Sequence, residues 1–149
     1  MVKKLNIFDN FNIPGKFKKS IILIGNFDGL HSGHQKLFEL AKKYKTKYKT
    51  KVGVVTFDPI PKMFFNTKIK NYRISNFNQK VIYLKKFGVD FVINKKFDKN
   101  FSKINYHKFI KDILSRKLRS KFIFVSNNFR FGHKREGDVS QLKKYESDF

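Results

Sequence analysis

Four short apolar runs alternate with stretches of helical periodicity along this chain, and this alternation restricts its fold more than any other feature. The runs predict strands at residues 21–25, 52–57, 89–93 and 122–125. The stretches between them predict helices at residues 34–44, at 77–87 with Asn76 as the cap, and at 106–114. Such alternation produces a parallel sheet with right-handed crossovers and helices on both faces. We therefore predict a Rossmann-like, doubly wound α/β sheet whose first strand begins near residue 21.

A glycine-rich corner follows the first predicted strand and leads directly into the first helix. Residues 25–34 read G-N-F-D-G-L-H-S-G-H. The free backbone N–H groups at a helix start bind anions, and the helix dipole adds about half a positive charge there. Glycines let a phosphate approach the backbone closely, and His31 and His34 add further donors. This corner predicts a cradle for a triphosphate.

Two more motifs follow the second and fourth predicted strands. Residues 56–61 read T-F-D-P-I-P, and residues 128–138 read N-F-R-F-G-H-K-R-E-G-D. Ligands of parallel sheets gather beyond the carboxyl ends of the strands, which is where all three motifs fall. Their convergence predicts one site at that edge of the sheet.

Together the three motifs resemble those of bacterial FAD synthases, within the HxGH nucleotidylyltransferase superfamily. The corner resembles G-x-F-D-x-x-H-x-G-H, the second motif is similar to T-F-[DE]-P-x-P, and the third resembles F-R-F-G-x-x-R-x-G-D. The resemblance runs from about residue 20 to residue 138 and implies a fold of the nucleotidylyltransferase type. It also implies transfer of an adenylyl group from ATP to FMN, giving FAD and pyrophosphate.

The resemblance assigns the corner to ATP. It implies that the ATP-binding residues are Gly25, Asn26, Phe27, Gly29 and Gly33. His31 and His34 would donate to the phosphates in the transition state, and Asp28 would either order the turn or hold magnesium through water. The alternative, a metal held by the two histidines, needs a third protein ligand. Magnesium is expected with ATP, and we assign it no protein ligand.

The other two motifs are assigned to FMN by the resemblance. The implied FMN-binding residues are Phe57, Asp58, Pro59, Asn128, Arg130, Phe131 and Arg135. Arg130 suits bidentate contact with a phosphate. Asn128 stands where the family usually has an aspartate, so it keeps an acceptor oxygen but not the charge.

Each FMN assignment has a structural alternative. Residues 57–59 equally describe a proline-stiffened loop with a buried phenylalanine. Phe129 and Phe131 alternate as core residues would, and we expect at least one of them in the core. Arg135 and Asp138 either form an ion pair that shapes the loop or contact the ligand.

Charge and composition bound the remaining classes of function. The net charge of +23 favours nucleic acid or anionic membranes as partners, but the lysines are spread over every predicted helix, and the residue bias is typical of an A/T-rich genome. The chain has no cysteine, which excludes disulfides and thiolate catalysis, and we expect a cytoplasmic protein with no membrane partner. The alternatives are another HxGH transferase, a basic nucleic-acid-binding module or an inactive fragment.

The length of 149 residues predicts one domain spanning residues 1–149. The resemblance implies that this domain is C-terminally incomplete, lacking the family's last strand and helix. It also implies that the riboflavin kinase module of most bacterial examples is absent.

Overall fold

A five-stranded parallel sheet organises the chain in the computed structural model, which describes residues 5–27, 32–66 and 77–149. Its strands are β1 (Asn6–Phe8), β2 (Ile21–Ile24), β3 (Val52–Asp58), β4 (Phe91–Lys96) and β5 (Phe122–Phe124). They lie in the order β1-β4-β3-β2-β5, and every neighbouring pair is parallel. The Rossmann-like α/β fold is confirmed.

Helices fill the connections between the strands. They are α1 (Ser32–Tyr48), α2 (Pro61–Phe65), α3 (Phe77–Lys86), α4 (Lys99–Ser102), α5 (Tyr106–Lys108) and α6 (Val139–Lys143). Helix α5 runs directly into a π-helical stretch (Phe109–Lys117), and short 3₁₀ turns lie at Gly15–Phe17, His133–Arg135 and Glu146–Asp148. Asn76, the predicted cap of α3, lies outside the described residues.

Alternate residues of each strand point to opposite sides of the sheet, and both sides are covered by a hydrophobic core. Ile22 and Ile24 belong to a core that includes Ile110 and Leu114 of the π-helical stretch. Ile21 and Leu23 belong to a second core with Phe38 of α1 and Leu84 of α3. A sheet covered in this way requires continuous apolar strands, which is the pattern that made β2 and β3 readable in the sequence.

Strand β1 is absent from the sequence prediction, which placed no strand before residue 21. Its three residues, N-I-F, are exposed or half-buried, and it pairs at the edge of the sheet with β4. An edge strand this short carries no buried apolar run for the sequence to reveal. Strand β4 runs further than predicted, because its pairing with β3 continues to Asp58 and Lys96 beyond the core.

The direction of winding reverses at β2. Strands β3 and β4 follow on one side of β2, whereas β5 lies on its other side. Ligands of doubly wound sheets bind beyond the carboxyl ends of the strands at such a switch point. The corner after β2 and the loop after β5 flank it.

Gly53 of β3 lies directly against an aromatic ring of the neighbouring strand, where a larger residue would not fit. A Cβ on Gly53 would lie 2.2 Å from Cζ of Phe91, its register partner, and the Phe91 ring is fully buried. Gly53→Ala is therefore expected to lower the free energy of unfolding by about 1–3 kcal/mol, the usual cost of overpacking. Urea denaturation measures this.

Gly15→Ala is the matched control, since in the described part of the chain its Cβ would meet no heavy atom within 4 Å. Its free energy of unfolding should stay within about 0.5 kcal/mol of the parent value. Equal midpoints and slopes for both variants would contradict the packing described here.

Candidate active site

The chain leaves β2 through Gly25, Asn26 and Phe27. The Gly25 N–H donates to the carbonyl of Val55 at 3.1 Å, which extends the β2–β3 ladder by one residue. Phe27 then turns the backbone with a φ of +50°, a conformation that side chains other than glycine rarely adopt. The Phe27 ring is buried against Phe38 at 5.2 Å between centroids, so it anchors the corner from the core side.

His34 lies in the first turn of α1, beside this anchor. Its half-buried imidazole packs edge-on against the Phe27 ring, with centroids 5.2 Å apart. The ring is therefore oriented by packing at the positive end of a 17-residue helix. Gly33 is also in α1, while Asp28, Gly29 and His31 lie outside the described residues.

A buried polar pair lies behind the corner. The Thr56 hydroxyl donates to the carbonyl of Asn26 at 3.4 Å, and the Lys80 ammonium donates to Thr56 Oγ1 at 3.4 Å. Thr56 is fully buried and Lys80 is 3% exposed. The sequence analysis missed Lys80, although its spacing of four from Leu84 places it on the inward face of α3.

The end of β3 and the proline after it turn one predicted FMN residue inward and leave two at the surface. Phe57 is buried, and its ring contacts those of Phe97 and Phe101 at 5.9 and 5.5 Å. Asp58 is exposed, and its carbonyl accepts the Phe97 N–H at 3.0 Å. Pro59 is half-buried and follows a cis peptide bond. Phe57 is therefore the buried phenylalanine that the structural alternative for residues 57–59 predicted.

One exposed and two half-buried aromatic rings lie beside this segment. Phe64 and Phe65 of α2 contact Phe97 edge-on at 5.2 and 5.8 Å, and Phe65 is 64% exposed. We call these three residues the aromatic shelf. The sequence analysis missed it, because a ring at a helix end carries no periodic signal.

Two glycines close the loop after β5. Phe131 and Gly137 form an antiparallel bridge with N–H···O distances of 3.1 and 2.8 Å. Gly132 has a φ of +80°, and a Cβ there would lie 2.7 Å from the backbone nitrogen of Tyr106. Phe131 is buried and stacks on the half-buried Phe129, with centroids 5.3 Å apart. The expected core phenylalanine of this pair is Phe131.

Arg130 points out of this loop beside a carboxylate that is held in place. Its Nη1 lies 3.5 Å from Oδ2 of Asp138, and the Arg130 side chain is 48% exposed. Asp138 caps α6, since its Oδ1 accepts the Gln141 N–H at 2.9 Å while its own N–H donates to Gln141 Oε1. Of the two arginines in this described loop, Arg130 and not Arg135 pairs with Asp138, which corrects the ion pair considered from the sequence.

The two other polar residues of the loop that were predicted to bind FMN face solvent. Asn128 is exposed, and its Oδ1 accepts the Ser126 hydroxyl at 2.9 Å. Arg135 is exposed with a φ of +56°. The site therefore offers Arg130 as an oriented cation, and Asn128 and Arg135 as exposed polar side chains that a ligand could reach.

The described residues contain no cluster of three His, Cys, Asp or Glu side chains that could hold a metal ion. Within ranges 5–27, 32–66 and 77–149, no helix combines the length and apolar character needed to cross a bilayer.

A basic cleft of about 850 Å³ opens at the other end of the strands, where they begin. Seven cations line it: Lys16, Lys18, Lys19, Lys49, Lys51, Arg119 and Lys121. Helix α1 ends here, and cations beside a helix C-terminus are stabilised by its dipole. The cleft lies away from the three motifs.

Known proteins resemble this chain over most of its length. The sequence profile of the FAD synthetase family matches residues 14–149. A bifunctional riboflavin kinase/FMN adenylyltransferase of Buchnera aphidicola from Acyrthosiphon pisum is 40% identical over 133 residues, covering 89% of this chain and 42% of the relative. The protein of that name from Escherichia coli K12 is 39% identical over 124 residues, covering 83% and 40%.

A solved structure agrees on the fold. The crystal structure of a macrolide-efflux protein from Streptococcus pneumoniae matches with a TM-score of 0.77 and 26% identity, covering 93% of this chain and 46% of that one. The chain thus spans less than half the length of these relatives. Because the family profile covers nearly all of the chain, this protein belongs to the FAD synthetase family.

Proposed function

We propose that this chain transfers the adenylyl group of ATP to FMN, giving FAD and pyrophosphate. The observation that carries the proposal is the arrangement at the switch point: β2 is followed by Gly25 and then by the start of α1, and a loop with an oriented arginine follows β5. Membership of the FAD synthetase family supports it, as do relatives named for FMN adenylyltransferase. We assign the activity to residues 1–149 as one domain.

The main task of the protein in this reaction is to position the two substrates. An oxygen of the FMN phosphate attacks the α-phosphorus of ATP in line and forms the new P–O bond. The bond from the α-phosphorus to the bridging oxygen breaks, and pyrophosphate leaves with that electron pair. Because the attacking phosphate is already an anion, the chain needs no general base, and donors to the charged phosphate oxygens supply the catalysis.

At the ATP side, we assign these donors to the corner after β2. His31 and His34 donate to the phosphates, and Asp28 orders the turn. The backbone of Gly25, Asn26, Phe27, Gly29 and Gly33 forms the cradle. The packing of His34 against Phe27 supports this assignment, since it orients the imidazole before the substrate arrives. Magnesium enters as part of the MgATP substrate.

At the FMN side, Arg130 binds the phosphate while Asp138 holds the guanidinium in place. Asn128, Phe131 and Arg135 complete that loop.

The isoalloxazine ring lies near Asp58 and Pro59, where the exposed Phe65 of the aromatic shelf offers a flat apolar face. Phe57 supports that face indirectly, since it packs against Phe97, which contacts Phe65. We place the reaction in the cytoplasm and infer that a riboflavin kinase supplies the FMN, as the relatives' names suggest.

The direct test incubates the purified chain with MgATP and FMN and quantifies FAD and pyrophosphate. We expect equal amounts of the two products. Parallel reactions offer nicotinamide mononucleotide or phosphopantetheine instead of FMN, and transfer to either in preference to FMN would reject the proposal. Tight, salt-sensitive binding of single-stranded DNA without FMN binding would favour the nucleic-acid alternative.

Replacing His34 tests the ATP side. His34→Ala is expected to lower kcat by about 10²–10³, the usual loss for one preorganised donor, with little change in the dissociation constant of FMN. His107→Ala is the control, because His107 is exposed and bonded to Tyr145. A His34→Ala variant with the turnover of the control would remove this histidine from the mechanism.

Replacing Arg130 tests the FMN side. Arg130→Lys keeps the charge but loses the planar pair of donors, so the KM for FMN should rise on the order of tenfold while the KM for ATP stays constant. Arg116→Lys removes the same geometry from an exposed helical ion pair with Asp112 and should change neither constant. A rise confined to the KM for ATP would place Arg130 at the wrong substrate.

A further inference from the structure

Lys80 is a lysine that the fold buries at the carboxyl edge of the sheet. It is 3% exposed, on the same face of α3 as the fully buried Leu84. Burying an ammonium ion is costly even when the ion is paired, and an apolar side chain of similar volume often serves stability as well or better. Packing alone therefore gives no reason for a lysine at this position.

One contact of Lys80 leads through Thr56 to the corner after β2. An ammonium group can only donate, so Thr56 Oγ1 must accept from Lys80 Nζ across their 3.4 Å contact. The single proton of the Thr56 hydroxyl is thereby directed to the carbonyl of Asn26, also at 3.4 Å. Lys80 sets the direction of this relay, which joins α3 to the second residue of the proposed ATP cradle, Asn26.

The position of the charge adds a second effect. Thr56 is fully buried, so the ammonium beside it is shielded from water, and its field is screened less than that of a surface lysine. The field adds to that of the N-terminus of α1 across the corner. A fixed charge of this kind stabilises phosphate oxygens without rearranging during the reaction.

We propose that Lys80 is a positioning residue for the nucleotide: through Thr56 it fixes the turn at Asn26, and it supplies a buried positive charge behind the polyphosphate. This inference rests on the proposed function. Both contacts are at the long end of the hydrogen-bond range, and we expect them to shorten when the polyphosphate binds.

The test compares Lys80→Met with Lys85→Met. Both variants lose one positive charge from α3, but Lys85 is exposed. Binding of inorganic tripolyphosphate is measured by calorimetry, and kcat, both KM values and the urea midpoint are measured on the same preparations. Lys80→Met should weaken tripolyphosphate binding and lower kcat, each by about tenfold, the effect of one lost hydrogen bond to a charged group. The KM for FMN and the urea midpoint should both stay at the values of the parent chain.

Lys85→Met should match the parent chain in every measurement. Unchanged tripolyphosphate binding and kcat in Lys80→Met would overturn the proposal, as would losses that appear equally in Lys85→Met. If the parent chain makes no FAD, the proposed function fails, while the comparison of tripolyphosphate binding still decides the role of Lys80.

A pair of threonine variants decides the matter if Lys80→Met does not fold. Thr56→Val removes the relay hydroxyl at nearly constant volume, whereas Thr56→Ser keeps it. Tripolyphosphate binding should be weaker in Thr56→Val than in Thr56→Ser, by several-fold. Equal binding by the two variants would overturn the relay.

Discussion

The hydrogen bonding of β2 to two parallel neighbours, β3 and β5, is the constraint on which the site depends. Its register pairs Ile21 with Val52 on one side and with Phe122 on the other. Every residue of β2 is buried, so a slip in either register would move side chains from one packed core into the other and disrupt both. The ladders thereby fix where the chain leaves β2, next to the strand that leads into the loop after β5.

Three of the sources of positive charge at the described site differ in rigidity. The start of α1 contributes a dipole that is fixed by the helix. Arg130 is oriented by a carboxylate that also caps α6, so its position depends on the fold of the loop. Lys80 contributes from inside the protein, where solvent screens it least. Such an arrangement suits a reaction between two anions, because their mutual repulsion must be offset before the phosphorus can be attacked.

The sequence revealed those parts of the fold and site that local pattern determines. Strands β2 and β3 were readable because both faces are buried, and the glycine corner was readable because its residues are adjacent in the chain. Strand β1 was not, since three half-exposed residues at an edge give no pattern. Contacts between distant segments were not predictable from local pattern either. Lys80 contacts Thr56 across 24 positions of the chain. Asp138 pairs with Arg130 and not with Arg135, a choice that depends on the bridge between Phe131 and Gly137.

The most direct measurement is a crystal structure of the chain with FMN and α,β-methylene-ATP, whose carbon bridge prevents the transfer. The account predicts the triphosphate over the corner after β2 and the FMN phosphate beside Arg130. An oxygen of that phosphate should lie about 3–3.5 Å from the α-phosphorus, opposite the bridge. A nucleotide bound in the basic cleft at the other edge of the sheet, with the corner empty, would contradict it.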